Sequence, residues 1–259
     1  MGLQKLINEI WGQIPENWAT IQEITGESVY QHLCKFIDFT PCNKLLDVGS
    51  GSGYFSNLME EDGLTVTGID TNTRLVELAK KRTSEVEFLT GEMEDLPFPD
   101  NTFDTVCAFN AIQYAESPEC VILECKRVLK AKGKLFFMIW GDEKDCEASS
   151  FLNAVGGLML PYPSGTESFA LSKNRRLESI IKACGLKIID NSNIASVWDY
   201  PNAETALKGL LSAGPIVKAI EHSGFDKVYE ESIASISTYT QEDGRIVYKN
   251  KFRVVICSK

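Results

Sequence analysis

Apolar positions follow two rhythms along this chain. Residues 1–40 place Trp11, Trp18, Ile21, Tyr30, Leu33 and Phe36 on apolar faces among polar neighbours, which predicts a helical segment. From residue 44 to 140, short apolar runs alternate with amphipathic stretches. Residues 45–48, 65–69, 86–89, 103–109 and 134–140 read as buried strands. Residues 53–61 and 72–82 read as helices, the latter with Leu75, Leu78 and Ala79 on one face. Ser117-Pro118 pairs an N-cap with a first-turn proline and opens a third helix that runs to Leu129, with Gly133 closing the unit. Such strand–helix alternation predicts a parallel sheet with right-handed crossovers.

After Trp140 the rhythm breaks. Residues 141–172 hold Gly156-Gly157 and Pro161-Tyr162-Pro163-Ser164-Gly165, a loop-rich insertion. Residues 177–184 predict a helix with Gly185 past its end, and 186–189 a sixth strand. Residues 198–222 carry aromatics and a helical stretch that Pro215 can open. Residues 252–256 read as a buried last strand after the Asp243-Gly244 turn.

A length of 259 residues allows one large α/β domain, or a domain with a modest cap. The net charge of −10, with no basic stripe interleaved with aromatics, argues against a nucleic-acid partner gripped by its phosphates. The eight cysteines show no Cys-x-x-Cys and several lie in apolar runs, so free thiols in a reducing compartment are expected. Two histidines without ligand-like spacing leave no metal site to expect. Polar residues interrupt the first ten positions, which do not read as a signal peptide, and residue 6 is not the Ser or Thr of a myristoylation pattern. No apolar run approaches the roughly 18 residues of a membrane span. A cytoplasmic location is the expectation.

The chemistry concentrates in Leu45-Leu46-Asp47-Val48-Gly49-Ser50-Gly51-Ser52-Gly53-Tyr54. A strand delivers one carboxylate and then three alternating glycines. Glycines permit positive φ and close approach of backbone to a ligand, and a helix N-terminus presents free N–H groups and partial positive charge. A cradle for a nucleotide-like or carboxylate-bearing cofactor is expected. The dinucleotide fingerprint Gly-x-Gly-x-x-Gly fails at Tyr54. Asp70 ends the second strand about 20 residues beyond the glycines, where a carboxylate can accept both ribose hydroxyls. It can also cap the helix beginning near Asn72.

The spacing Gly-x-Gly-x-Gly, with Asp47 two positions before it, resembles the first motif of the class I S-adenosylmethionine-dependent methyltransferases. The block Gly91-Glu92-Met93-Glu94-Asp95-Leu96-Pro97-Phe98-Pro99-Asp100-Asn101-Thr102-Phe103-Asp104 is most similar to members related to ubiquinone and menaquinone biosynthesis. The stretch from Cys125 to Lys134 resembles the family's Arg-Val-Leu-Lys-Pro-Gly-Gly turn. The resemblance implies a Rossmann-like, seven-stranded, mostly parallel sheet, its last strand antiparallel, with helices on both faces and a small cap. Residues 1–40 would be the cap, and 41–259 the methyltransferase domain with lid insertions near 141–172 and 198–222.

It also implies that Asp47, Gly49, Ser50, Gly51 and Gly53 lie against the methionine part and ribose, with Asp70 and Thr71 at the ribose. Glu92 would accept from the adenine amino group and the Met93 N–H would reach the ring. The family usually has Asp then Ala there, so Met93 can instead pack on the adenine face. Asn110 and Gln113 would close the cofactor site after the fourth strand. The segment Phe109-Asn110-Ala111-Ile112-Gln113-Tyr114 lacks the Asn/Asp-Pro-Pro-aromatic signature of nucleic-acid amino-methyltransferases.

The implied reaction moves a methyl group from S-adenosylmethionine to a small-molecule acceptor by direct displacement, leaving S-adenosylhomocysteine. An aligned nucleophile in a dry site is the main requirement, and a base is needed only for a protonated acceptor. Tyr114 is the candidate side chain beside the reaction. His32 reads as an ordinary helix residue, and His222 as a weaker cleft candidate. Residues 1–25, 141–172 and 198–215 would roof the acceptor pocket. Trp11, Trp18, Phe151, Tyr162, Trp198 and Tyr200 would line it for a partly apolar or aromatic acceptor. Two alternatives stand beside this reading: an NAD-dependent oxidoreductase, opposed by Tyr54, and a S-adenosylmethionine-binding protein without transferase activity, left open because no base is recognisable.

Overall fold

Seven strands form one sheet in the computed structural model, which describes residues 14–40, 43–159 and 167–259. They are β1 (Lys44–Val48), β2 (Thr65–Asp70), β3 (Glu87–Thr90), β4 (Phe103–Phe109), β5 (Leu129–Trp140), β6 (Lys187–Tyr200) and β7 (Ile246–Ser258). Their order across the sheet is β3-β2-β1-β4-β5-β7-β6. β1 to β5 pair in parallel, while β7 runs antiparallel to both β5 and β6. This is the mixed sheet, last strand reversed, that the family resemblance implies.

Both faces of the central strands are buried, as a sheet covered by crossover helices requires. Leu45, Cys107, Phe136 and Met138 join one core with Val29, Leu33 and Phe55. Their sequence neighbours Leu46, Val106 and Phe137 join the other, with Val121, Ile122 and Leu177.

The helices are α1 (Ile14–Asn17), α2 (Glu27–Cys34), α3 (Tyr54–Glu61), α4 (Thr73–Arg82), α5 (Pro118–Val128), α6 (Ser149–Gly156), α7 (Arg176–Ala183), α8 (Ala203–Leu210), α9 (Gly214–Ser223) and α10 (Phe225–Ser237). Between α1 and α2 the chain forms a π-helical turn, Trp18–Gln22, and a 3₁₀ turn, Glu23–Gly26. Ser117 caps α5 as expected, its Oγ accepting from Cys120 N at 3.3 Å. At α4 the cap is Asn72, whose Oδ1 accepts from Arg74 N and Leu75 N. Asp70 does not take that role.

Three expectations about the second half need correction. β5 starts at Leu129, not at 134: the strand begins where α5 ends, and Leu129 pairs with Phe103. Gly133 lies inside it because a Cβ there would stand 2.8 Å from the Asp104 carbonyl oxygen. β6 runs to Tyr200 rather than stopping at 189, paired with β7 along its length. Its half-exposed first part lacks an apolar run, so pairing, not composition, makes it a strand. The helix Phe225–Ser237 was not foreseen. With α6 and α9 it forms a helical cap, and α8 packs on the π-helical turn.

The order turns around between β1 and β4: from β1 the chain moves outward to β2 and β3, then returns to build β4 and β5 on the other side. Ligands in open α/β sheets bind at such a switch point, beyond the carboxyl ends of the strands. The ends of β1 and β4 are the glycine turn and Asn110.

Candidate functional site at the switch point

The glycine turn is held open by geometry that only glycine meets. Gly49 has φ +76°, and a Cβ on it would stand 2.3 Å from the Ala111 Cβ. That proximity brings the turn against the segment after β4. Gly51 has φ +55°, and its missing Cβ would stand 2.6 Å from Glu23 Oε1.

The N–H groups of the turn itself, residues 49–53, are all engaged. Gly49 N and Ser50 N donate to the Ile69 carbonyl at 2.8 and 3.0 Å, and Gly53 N to the Ser50 carbonyl at 2.9 Å. Gly51 N donates to Asp70 Oδ2 at 2.9 Å. Ser52 N donates to Glu23 Oε1 at 2.9 Å, and Ser52 Oγ to Glu23 Oε2. Two of the protein's own carboxylates accept from the turn residues that precede the helix.

Three acids meet here. Asp47 is buried, and Ser56 Oγ donates to its Oδ2 at 2.7 Å. Burial pushes its carboxyl up to about 7, against the Ser56 hydrogen bond and with help from the Glu23 and Asp70 charges. Asp70 is half-buried and is raised by burial, opposed by the N–H groups of Asn72, Gly51 and Thr71. Its Oδ1 accepts from Asn72 N at 2.8 Å. The carboxylate keeps acceptor capacity for a ribose hydroxyl beyond these N–H groups. Glu23 is raised by burial, opposed by Ser52 and Arg82. Arg82 answers it across 3.1 Å and also donates to the Ala19 carbonyl.

The remaining expected site residues ring this centre unequally. Thr71 is exposed after β2, and Glu92 is exposed after β3. Met93 packs onto the second core with Leu89 and Phe98. Within that acidic block, Glu94 is the anchored residue, accepting from Glu116 N at 2.9 Å. Arg127 ties the block down through the Leu96 and Phe98 carbonyls. Asn110 has φ +49° and donates its N–H to the Met138 carbonyl. Gln113 is buried behind it, with Nε2 3.4 Å from Asn110 Oδ1. The side-chain atoms Ser50 Oγ and Gln113 Oε1 are buried without a hydrogen-bond partner. The unmatched buried polar atoms and the Asp70 acceptors fit an adenosyl cofactor.

Tyr114 follows in a 3₁₀ turn and is 53% exposed, so water reaches its ring. His32 packs against Phe36 and His222 is exposed at the end of α9. Phe151, Trp198 and Tyr200 are core residues, not chamber lining, and the Tyr200 hydroxyl donates to Gln22 Oε1 at 2.8 Å. Trp11 and Tyr162 lie outside the described residues. A cavity of about 1090 Å³ opens beyond β5 between the 142–156 and 167–174 segments. Phe169 and Leu152 line it among Asp142, Lys144, Asn153 and Ser172. Among the described residues no cluster could hold a metal ion, the cysteines are free, and no helix is long and apolar enough to cross a membrane.

Glu23 and Arg82 were not foreseen as site residues, and Trp18, expected in the acceptor lining, stands beside the glycine turn. Gln22 and Glu23 are polar residues buried inside an otherwise apolar helical stretch, and that was the one local signal.

Comparison with known proteins places this geometry. A methyltransferase domain family matches residues 46–137. A demethylmenaquinone methyltransferase of Thermotoga maritima is 34% identical over 97 residues, 37% of this chain and 42% of that protein. A malonyl-[acyl-carrier protein] O-methyltransferase of Erwinia pyrifoliae is 26% identical over 76% of this chain and 70% of its own. The chain thus matches less than half the length of the Thermotoga relative. The crystal structure of the Bacillus subtilis YcgJ protein superposes with a TM-score of 0.60 at 20% identity, covering 89% of this chain and 97% of that one. The matched segment runs from β1 through β5 and holds the glycine turn, Asp70 and Asn110, so over this segment the chain is similar to methyltransferase domains and shares their fold.

Proposed function

We propose that the chain transfers a methyl group from S-adenosylmethionine to a small-molecule acceptor by direct displacement. The observation that carries this reading is the surplus of buried acid around the glycine turn. Asp47, Asp70 and Glu23 gather around the turn, and Arg82 pairs with Glu23. A ligand bearing ammonium and sulfonium charges suits such a site, whereas a dinucleotide pyrophosphate does not.

Bound there, S-adenosylmethionine supplies an electrophilic sulfonium methyl that an aligned nucleophile displaces. The residues hold and orient it. Asp70 accepts from the ribose hydroxyls, with Thr71 beside it. The Glu92–Met93 rim takes the adenine edge. Asp47 sets the negative field beneath the turn, and Gly49, Ser50, Gly51 and Gly53 let the backbone approach. Asn110 and Gln113 wall the side facing β4. No base is assigned, and a deprotonated or neutral acceptor atom needs none.

The cavity beyond β5 is the acceptor chamber in this reading, lined by residues of the 141–172 insertion. Its lining is more polar than the aromatic set foreseen, which favours an acceptor with polar substituents beside an apolar part. The free cysteines support a reducing, cytoplasmic setting.

Calorimetric titration with S-adenosylmethionine and S-adenosylhomocysteine tests the proposal. Binding of both, without binding of NADH, is the expected result. Failure to bind either overturns it. Turnover in a panel of small acceptors separates a transferase from a protein that only binds the cofactor.

A further inference from the structure

The segment 14–26 lies over the glycine turn and brings buried donors with no partner. Asn17 Nδ2 and Trp18 Nε1 are both buried without an acceptor. The position of Trp18 is fixed by the turn: the point where a Gly51 Cβ would stand is 3.4 Å from Trp18 Nε1. A buried N–H left unmatched is disfavoured, and such groups are concentrated where something else completes them.

The placement is held by a dedicated staple. Glu23 takes both donors of Ser52 at the start of α3, and Arg82 of α4 bridges Glu23 to the Ala19 carbonyl. The Arg82 guanidinium also stands over the Tyr54 ring, 5.4 Å from its centre. These contacts pin the π-helical turn carrying Trp18 onto the two helices that flank the cradle. π-helical turns are rare and are often found at functional sites.

A carboxylate entering beside Gly51 finds the turn's own N–H groups, from Gly49 to Gly53, already engaged. The acids around the turn suit the cationic groups of the ligand and cannot donate to its carboxylate. The unpartnered Trp18 N–H beside Gly51 supplies a donor that the turn itself does not. The Glu23 charge beside it is neutralised by Arg82 at 3.1 Å.

We propose that Trp18 is a cofactor-binding residue whose indole N–H donates to the carboxylate at the amino-acid end of S-adenosylmethionine, with Glu23 as the positioning residue that holds it there. This rests on the cofactor reading above.

The test compares two ligands on wild type and Trp18→Phe by calorimetry: S-adenosylhomocysteine, which has the amino-acid end, and 5′-methylthioadenosine, which lacks it. The variant is expected to bind S-adenosylhomocysteine about tenfold more weakly and methylthioadenosine within about twofold of wild type, as the loss of one hydrogen bond to a charged group requires. Unchanged homocysteine-ligand binding overturns the proposal. So does an equal loss for both ligands, which would mean that Trp18 only packs. Wild type that binds neither ligand would instead sink the cofactor reading. A measurement on wild type alone covers a misfolded variant: the methyl ester of S-adenosylhomocysteine should bind about tenfold more weakly than the acid, and equal binding overturns the proposal.

Discussion

The two ends of the sheet bury charge in opposite ways. Under β7, Arg253 is nearly sealed from water yet fully answered. It donates to Asp142 at 2.9 Å, the Ser172 carbonyl at 3.0 Å and Asn193 at 3.3 Å, and it stands 3.7 Å from the buried Glu178. At the carboxyl ends of β1 and β2, Asp47, Asp70 and Glu23 share a space in which Arg82 is the cation, and two of the three carboxylates are occupied by turn N–H groups. The first arrangement is self-contained and holds the sheet to its neighbouring loops. The second is left with excess negative charge, which burial makes costly until a cation arrives. The contrast sets a cation paired by nearby carboxylates against a cluster of acids in surplus.

The largest effect should come from breaking the balanced network. Arg253→Met leaves Glu178 buried without its counter-charge and should cost about 3–5 kcal/mol of stability by denaturant unfolding. Cofactor affinity in the folded fraction should not change. A loss below about 1 kcal/mol would show that this end is no more self-contained than the other.

Asp70→Ala should act in the opposite sense. It should weaken S-adenosylmethionine binding by about 1–3 kcal/mol in calorimetry. Wild-type affinity in this variant would remove Asp70 from the ribose role.

Asp47 sharpens the comparison through pH. Its carboxyl is held up at about 7, above the ordinary carboxylate value, because it is buried, with the neighbouring Glu23 and Asp70 charges adding to the rise. The folded protein therefore holds a proton that the unfolded chain has released. Stability from this group is present below about pH 4 and is lost as pH rises to about 7, by up to about 1.4 kcal/mol per pH unit. Asp47→Asn should flatten that stretch of the melting profile. Binding of the cationic cofactor should in turn tighten as pH rises toward 7 in wild type, and not in the variant.

Asn72→Ala is the smallest test. Removing the α4 cap should cost about 1 kcal/mol of stability and leave cofactor affinity unchanged. A parallel loss of affinity would mean that Asp70 depends on the cap for its position.

The first half of the fold was legible because each element there carries its own local signal. The runs that became β1, β2 and β4 are short and rich in apolar or β-branched residues, as strands buried on both faces tend to be. Ser117-Pro118 marked a helix start that the Ser117 Oγ bond bears out. β6 was legible only in its first few residues. It lies at the sheet edge, and its later part alternates between buried Trp198 and Tyr200 and exposed partners, so β7 pairing supplies what composition does not. The site divides in the same way. Asp47, the glycines and Asp70 sit at strand ends that the local pattern reveals. Glu23 is 29 residues from Ser52, its hydrogen-bonding partner, and no spacing rule connects them.

By itself, then, the sequence determined the parallel core, the glycine turn and the acid at the end of β2, because periodicity, φ preference and strand-end chemistry act over a few residues. Only the tertiary structure decided that the turn's donors are already taken by Asp70 and Glu23. It alone placed Trp18 above Gly51 and balanced Arg253 while leaving the acids of the cradle in surplus. Hydrogen-bond satisfaction and charge compensation depend on which distant groups share a desolvated space, and folding alone brings those groups together.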